Sequence, residues 1–323
     1  MVATPDEKVN GEKPPLVVVT GPTGVGKTEV AVRLAERLPI EVVSADSRQV
    51  YRRMDIGTGK PEPAHLRAVR HHLIDVVEPD EPYHAARFKV EAEAAIAGCA
   101  ARGRLPLVVG GTGLYIRALT RGLRPAPPCN PGLRKELVER SQRKGLSALY
   151  SELTALDPEA AGKIHPRDLL RVVRGLEICY LTGRPRGDRT LWQRSRPDFR
   201  LLMIGLTMSR GLLYGVLEKR VHRMVDLGLR DEVRELLDAG YGEELSAMQG
   251  IGYRHFAAVV RGRFSEDEAI RTMIRDTKRY AKRQWTWFAR EPEITWVDVE
   301  RGGGIEGTAL AVEKLIVQSG VLK

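Results

Sequence analysis

The octapeptide GPTGVGKT follows the apolar run Leu16–Val19 after a single residue, Thr20, and fits the spacing G-x-x-x-x-G-K-[ST]. Backbone N–H groups of such a loop, here Gly21, Pro22, Thr23, Gly24, Val25 and Gly26 with proline contributing shape only, cradle a diphosphate. Lys27 then neutralises the anion, and the Thr28 hydroxyl is placed to meet a metal ion such as Mg²⁺. A helix starting at the end of the loop adds the positive end of its dipole. A glycine-rich turn with a surface lysine is the bland alternative, and it requires neither a preceding strand nor a following helix.

The second chemical stretch is SADSRQVYRRMDIGTGKP, in which Asp46 lies just past the apolar run Glu41–Ala45. In an open α/β sheet that edge faces the ligand crevice, where a carboxylate can take a proton from an incoming nucleophile. The same carboxylate could cap the segment from Ser47 onward. Asp75 in HHLIDV and Thr112 in GGTGLY occupy comparable positions, and Asp75 is open to two uses, as a metal partner or as a buried cap. The fourth run ends in GGTG without the acidic residue that phosphate-loop NTPases use for Mg²⁺. A ligand with only two phosphates therefore comes into consideration.

The third stretch is IRTMIRDTKRYAKRQWTWFAR. As one helix it aligns Arg271, Arg275, Lys278, Arg279, Lys282 and Arg283 along a stripe opposed only by Asp276. Such a stripe repels itself unless an anion lies on it, and Trp285, Trp287 and Phe288 offer faces for stacking or for the core. With Arg167, Arg171 and Arg174, and with Arg220 and Arg223 in EKRVHRM, it forms an electropositive path for a nucleic-acid backbone.

The elements that must position these residues are legible as alternating apolar runs and helical patterns. Strands are expected at Leu16–Thr20, Glu41–Ala45, Leu73–Val77, Leu105–Val109 and Leu201–Leu206, with a helix from about Tyr83 to Arg102. The fold class is α/β: a phosphate-loop, doubly wound parallel sheet with an inserted helical domain and a helical C-terminal part. Prolines in RPAPPCNP, Arg124–Pro131, mark a boundary. Helical patterning then runs from Pro131 to about Thr182 and stops at Gly183. The expected division is residues 1–14 as a disordered leader, 15–123 as the first part of the core, 124–200 as the insertion, and 201–323 as the return with mostly helical, basic segments.

Composition sets the class of partner. A formal charge of +10 on 323 residues attracts polyanions, nucleic acid first. Cys99, Cys129 and Cys179 form no C-x-x-C pair, so neither a zinc site nor a disulfide framework is expected and a cytoplasmic setting suits them. No apolar run approaches the roughly 18 residues of a membrane span, so no membrane partner is expected.

The motifs GPTGVGKT, SADSRQVYRRMDIGTGKP, HHLIDVVEP, VVGGTGLY, IHPRDLLRVVRGLE, AMQGIGYR and YAKRQWTWFAR, in this order from residue 16 to about 298, resemble the tRNA dimethylallyltransferase family. The resemblance implies transfer of a dimethylallyl group from dimethylallyl diphosphate to N6 of adenine-37, beside the anticodon of tRNAs reading codons that start with U. It implies that Asp46 is the general base, that Thr23 and Arg220 act on the diphosphate and its bridging oxygen, and that Lys27 and Thr28 serve the diphosphate and Mg²⁺. tRNA contacts are implied at Asp46, Ser47, Arg48 and Gln49; at Thr112 and Arg134; and at Leu170, Arg171, Val172, Val173 and Arg174. Further ones fall at Met248, Gln249, Gly250, Ile251, Gly252 and Tyr253, and at Lys282, Arg283, Gln284, Trp285, Thr286, Trp287, Phe288 and Ala289. The insertion becomes a clamp on the anticodon stem-loop, a monomer is sufficient, and the absence of a Cys/His cluster near Lys323 resembles the short bacterial form.

Three rivals share parts of this pattern. A small-molecule kinase would use the same loop with Asp46 on an acceptor hydroxyl, but has no need of the basic stripe. An isopentenyltransferase acting on free adenine nucleotides would need neither stripe nor clamp. A non-enzymatic RNA-binding protein would not need Lys27, Thr28 and Asp46 together.

Overall fold

The structure, a computed structural model, describes residues 13–123, 126–183, 185 and 199–322. Residues 1–12 of the expected leader, residues 124–125 at the expected boundary, and residues 184 and 186–198 of the expected insertion lie outside the described residues. The chain divides into two compact units, Met1–Thr120 with Ser195–Lys323, and Arg121–Arg194.

The first unit is built on a parallel sheet of β1 (Pro15–Thr20), β2 (Ile40–Ser44), β3 (His71–His72), β4 (Leu105–Gly110), β5 (Arg200–Thr207) and β6 (Ile294–Asp298). Their spatial order is β3-β2-β4-β1-β5-β6, so β1 lies between β4 and β5, with Val17 opposite Leu107 on one side and Leu202 on the other. Successive side chains of a strand point to opposite faces, and β1 shows the consequence. Val17 and Val19 enter one core with α1 (Lys27–Ala35), while Leu16 and Val18 enter another with α3 (Ala85–Ala101) and α4 (Gly113–Arg121). Burial on both faces explains why β1 reads as an unbroken apolar run.

The short α2 (Pro63–Ala68) precedes β3. After β5 come α9 (Arg210–Asp226), α10 (Leu229–Asp238), α11 (Tyr253–Val260) and α12 (Glu266–Phe288), then α13 (Gly304–Gln318) after β6. A third core joins Val221, Met224, Val233, Phe256 and Met273 to Val50, Tyr51 and Met54 from the SADS segment. It ties the helices after β5 to the loop that follows β2.

The second unit contains α5 (Pro131–Lys144), α6 (Leu146–Leu156), α7 (Pro158–Ala161) and α8 (Leu169–Thr182) around Leu137, Leu149, Leu153, Val172, Val173 and Leu176. Asn130 caps α5 through Leu133 N–H, and Asp168 caps α8 through Arg171 N–H. Gly183, with φ 61°, ends α8 in the left-handed conformation.

Two strand expectations change. The run Leu73–Val77 is not a strand, because Leu73 and Asp75 take φ of 62° and 56° and only Val77 bridges to Tyr51. Asp75 is consequently neither at a strand end nor a buried cap: its side chain is exposed and pairs with Lys60. β6 lies in a stretch read from sequence as mostly helical; it is an edge strand in which Thr295 and Trp296 are both exposed, so no buried apolar run marks it. Among the described residues no helix is long and apolar enough to cross a membrane.

At the β2–β3 edge Glu41 accepts both Nε and Nη2 of Arg102, at 3.0 and 2.7 Å, and contacts His72 Nε2 at 2.7 Å and Cys99 Sγ at 3.5 Å. The Arg102 hydrogen bonds hold its carboxyl down at about 2 against the opposing effect of burial, while burial pushes the Cys99 thiol up to about 11. A folded pKa below the unfolded one means stabilisation that is full above about pH 4.5 and lost as pH falls toward 2. Between pH 6 and 3, chemical denaturation should show the wild type losing on the order of 1–2 kcal/mol more than Glu41→Gln, allowing for solvent around Arg102.

Candidate active site

The loop Gly21–Thr28 joins β1 to α1, the setting that separates a phosphate loop from a chance glycine turn. Its glycines are steric requirements. A Cβ on Gly21 would fall 2.4 Å from the Leu206 carbonyl oxygen of β5, and Gly26 caps α1 with φ 95°. Lys27 Nζ donates to the carbonyls of Gly21 and Pro22 at 3.0 and 2.8 Å. Arg220, from α9, sends Nη1 toward Thr23 Oγ1 at 3.4 Å.

These groups line one cleft of about 950 Å³, together with Thr28, Asp46, Gln49, Thr58 and Gly59. Apolar walls come from Val25, Ile56, Val216, Met224, Leu227 and Ile305. An anion with an apolar tail suits this lining: cations and loop amides at one part, aliphatic carbon at the other.

Electrostatics point the same way. Burial pulls the Lys27 ammonium down to about 8, with Arg220 adding to the depression and Asp46 opposing it. Burial likewise lowers the Arg220 guanidinium from its ordinary value, although it stays charged. Two half-buried cations held side by side are relieved by a bound anion, which restores the lysine's proton. Above pH 8 that proton must be taken up on binding, so affinity for a diphosphate monoester should weaken by up to about tenfold per pH unit. Titration calorimetry at pH 7, 8 and 9 checks this, and Lys27→Arg, which keeps its charge, should flatten the profile.

Asp46 is positioned by the end of β2. Its Oδ1 accepts Arg48 N–H at 2.8 Å and Gln49 N–H at 3.4 Å, and Ser47 N–H donates to Thr112 Oγ1 at 3.0 Å. The carboxylate thus caps the turn and also lines the cleft, so capping does not withdraw it from the ligand side of the sheet. Hard oxygen donors for a divalent cation are present there too, from Thr28, Glu29 and Asp46.

The other sequence-marked residues fall into three groups. Arg48 reaches the Ser246 carbonyl at 2.6 Å, placing the Asp46–Gln49 turn beside the segment 248–253. In that segment Gln249 is exposed and Ile251 half-buried, whereas Met248, Gly250, Gly252 and Tyr253 are buried. On α12, Lys282, Arg283 and Thr286 are exposed, as is Ala289 at its end, but Gln284 and Phe288 are buried. Trp285 donates Nε1 to Thr207 Oγ1 at 3.1 Å, and Trp287 lies under the Arg117 guanidinium. The basic stripe is less bare than its sequence implies, because Lys278 pairs with Glu218, and Arg275 and Arg279 pair with Asp276.

In the second unit Leu170 is 79% exposed and Arg171 is exposed, while Val172 and Val173 point into the core. Arg174, read from sequence as part of the electropositive path, and Arg134, a tRNA contact by resemblance, are both engaged with the buried Glu177. Burial pushes the Glu177 carboxyl up, but hydrogen bonds from both arginines and from Asn130 N–H outweigh it and hold the group low.

Two residues that support the cleft's lining from behind were assigned no role in sequence. Tyr280 contacts Thr112 and lies in the field of Asp46; burial first, and that carboxylate second, raise its phenol. Its place four residues before Gln284 on one helix was the available signal. Glu232 accepts the N–H groups of Asp55, Ile56 and Gly57 at 2.9, 2.8 and 3.1 Å and the Tyr253 hydroxyl at 2.7 Å. It fixes the DIGTG loop that presses Gly59 against Arg220, and no local pattern connects it to a loop about 175 residues earlier.

Comparison with known proteins agrees with this geometry. The profile of the IPP transferase family matches residues 49–291, and that of isopentenyl transferase matches residues 14–79. A tRNA dimethylallyltransferase of Desulforudis audaxviator is 46% identical over 94% of this chain and 98% of its own length. Another, from Syntrophotalea carbinolica, is 50% identical over 90% of this chain and 92% of its own. Among solved structures, the tRNA isopentenylpyrophosphate transferase of Bacillus halodurans is 40% identical, covers 96% of this chain and 99% of its own, and superposes with a TM-score of 0.70. A eukaryotic dimethylallyltransferase acting on tRNA is 28% identical over 88% of this chain and 74% of its own, with a TM-score of 0.75. A phosphate loop joined to a carboxylate by one partly apolar cleft, carried on a chain that matches these proteins over most of its length, makes this protein a member of the IPP transferase family of tRNA dimethylallyltransferases.

Proposed function

We propose that the protein transfers the dimethylallyl group of dimethylallyl diphosphate to N6 of adenine-37 in tRNAs that read codons beginning with U. The observation that carries this reading is the single cleft lined by Lys27, Arg220, Thr23 and Asp46 together with aliphatic side chains. N6 attacks C1 of the allyl group, the new N–C bond forms as the C1–O bond breaks, and its electron pair leaves on the diphosphate. An N6 proton passes to Asp46. The adenine amine is a poor nucleophile because its lone pair is delocalised, so holding it against C1 supplies much of the rate.

Charge grows on the departing oxygens, where Lys27, Arg220, the Thr23 hydroxyl and the loop amides receive it. Thr28 and the neighbouring carboxylates are suited to hold Mg²⁺, which would add positive charge for the leaving group. A base stacked in an anticodon loop must be drawn out to reach the cleft. Exposed Lys282, Arg283 and Gln249, with Arg171 and Leu170 of the helical insertion, are surfaces on which the stem-loop would rest, the insertion acting as a clamp. One chain carries every group that the reaction needs, which fits a monomer, and a tRNA substrate fits a cytoplasmic enzyme.

The test is a transfer assay with Mg²⁺, labelled dimethylallyl diphosphate and an anticodon stem-loop carrying adenines at positions 36, 37 and 38, with and without ATP. Label at position 37 without ATP is the expected result. ATP hydrolysis, or prenylation of free AMP in place of the stem-loop, would overturn the reading.

A further inference from the structure

Gln284 stands in the α12 segment that resemblance assigns to tRNA contact, yet it is 6% exposed and both ends of its amide are used inside the protein. Oε1 accepts Thr23 N–H at 2.8 Å, and Nε2 donates to the Gly111 carbonyl at 2.9 Å. A donor on one side and an acceptor on the other fix the amide's orientation. Space for it exists only because residue 111 is glycine: a Cβ there would lie 2.1 Å from Nε2. The bonds span the phosphate loop, the loop after β4 and α12, segments separated by 261 and 173 residues. Thr23 is the residue whose hydroxyl stands 3.4 Å from Arg220, so its backbone plane decides where that hydroxyl points.

We propose that Gln284 is a positioning residue for the transfer step, holding Thr23 and the phosphate loop in register with Arg220, and is not a tRNA contact. The inference rests on the reading of the cleft as a prenyl diphosphate site. The face of α12 that carries Gln284 also carries Tyr280 one turn earlier, toward Thr112 and Asp46. Lys282 and Arg283 stay exposed on the flanks of the same helix. One rigid helix therefore divides its work: inward side chains set the geometry of the reacting groups, and outward ones meet a polyanion. Loss of the amide leaves Thr23 N–H and the Gly111 carbonyl without partners in a buried place, and the loop shifts to satisfy them.

The experiment compares Gln284→Ala and Gln284→Glu with Lys282→Ala. For Gln284→Ala, kcat should fall about 10–100-fold and inorganic diphosphate should bind more weakly, as displacement of a reacting group by about 1 Å predicts. Its tRNA dissociation constant should stay within about twofold of the wild type, whereas Lys282→Ala should weaken tRNA binding. Gln284→Glu keeps an acceptor for Thr23 N–H, and only its protonated form can donate to Gly111. Its activity relative to wild type should therefore climb as pH falls, a signature that a merely structural role does not produce. If Gln284→Ala does not fold, the Gln284→Glu profile decides: a flat ratio overturns the proposal.

Normal kcat with weakened tRNA binding in Gln284→Ala would also overturn it and make Gln284 an RNA contact. A wild type that binds diphosphate but transfers no prenyl group would instead sink the proposed function. The positioning role would then be judged on inorganic diphosphate alone, and unchanged affinity in Gln284→Ala would refute it.

Discussion

Asp46→Asn should lower kcat for prenyl transfer by about 10²–10⁴-fold, the range expected when a positioned general base is lost, with tRNA affinity largely intact. Asparagine is the informative replacement because the Asp46 carboxylate does two things. It caps the turn through Arg48 and Gln49 N–H, and it lines the cleft beside Lys27. Asparagine caps about as well as aspartate, so the turn survives the change. The amide cannot accept the N6 proton. If capping were the whole role, Asp46→Asn would be nearly silent and Asp46→Ala would damage stability and turnover together. Single-turnover rates at saturating tRNA, with melting temperatures for both variants, separate the cases. A large loss of tRNA binding with normal turnover at saturation would show instead that Asp46 is an RNA contact.

The ease with which Asp46 and the phosphate loop are read from sequence has a physical source. Both lie where a strand buried on both faces meets a loop, and such strands leave runs such as Leu16–Val19 that no surface element imitates. Loop chemistry is likewise local in its backbone: Gly21 and Gly26 take φ of 140° and 95°, which glycine alone adopts freely, so the motif survives as a string. Illegible parts are those in which a residue's use is decided by a distant partner. Arg134 and Arg174 look like surface cations until Glu177 is seen buried between them. Glu232 is an ordinary helical acid until three N–H groups of the DIGTG loop converge on it. Leu73–Val77 has strand composition, but positive φ at Leu73 and Asp75 bends the chain out of the sheet, a cost that composition does not display. Period also misleads on α12, where the polar Gln284 falls on the inward face and reads as part of a surface segment.

Arg220→Met should reduce kcat/KM for dimethylallyl diphosphate by about 10²–10³-fold, the loss typical of one preorganised donor to a developing oxyanion. The same substitution should leave the melting temperature of the ligand-free protein unchanged or raised. The two signs differ for one reason. Burial works against the Arg220 charge, and Arg220 in turn depresses its neighbour Lys27, so each cation makes the other more costly until an anion lies between them. Methionine retains the aliphatic volume and removes that repulsion, gaining stability where function needs strain. Lys27 should respond as well. With Arg220 gone its pKa should rise above about 8, moving the onset of weakened diphosphate binding to higher pH. Arg220→Lys should recover only part of the rate, since an ammonium lacks the planar fork that reaches Thr23 Oγ1 while packing against Gly59. Gly59→Ala tests the packing separately: a Cβ there would fall 1.8 Å from Nη2, so the guanidinium must move although its charge is kept. A rate loss in Gly59→Ala approaching that of Arg220→Met would locate the effect in the placement of the guanidinium. Full activity in Gly59→Ala would mean that charge anywhere near the loop is sufficient, and that the contact with Thr23 is incidental.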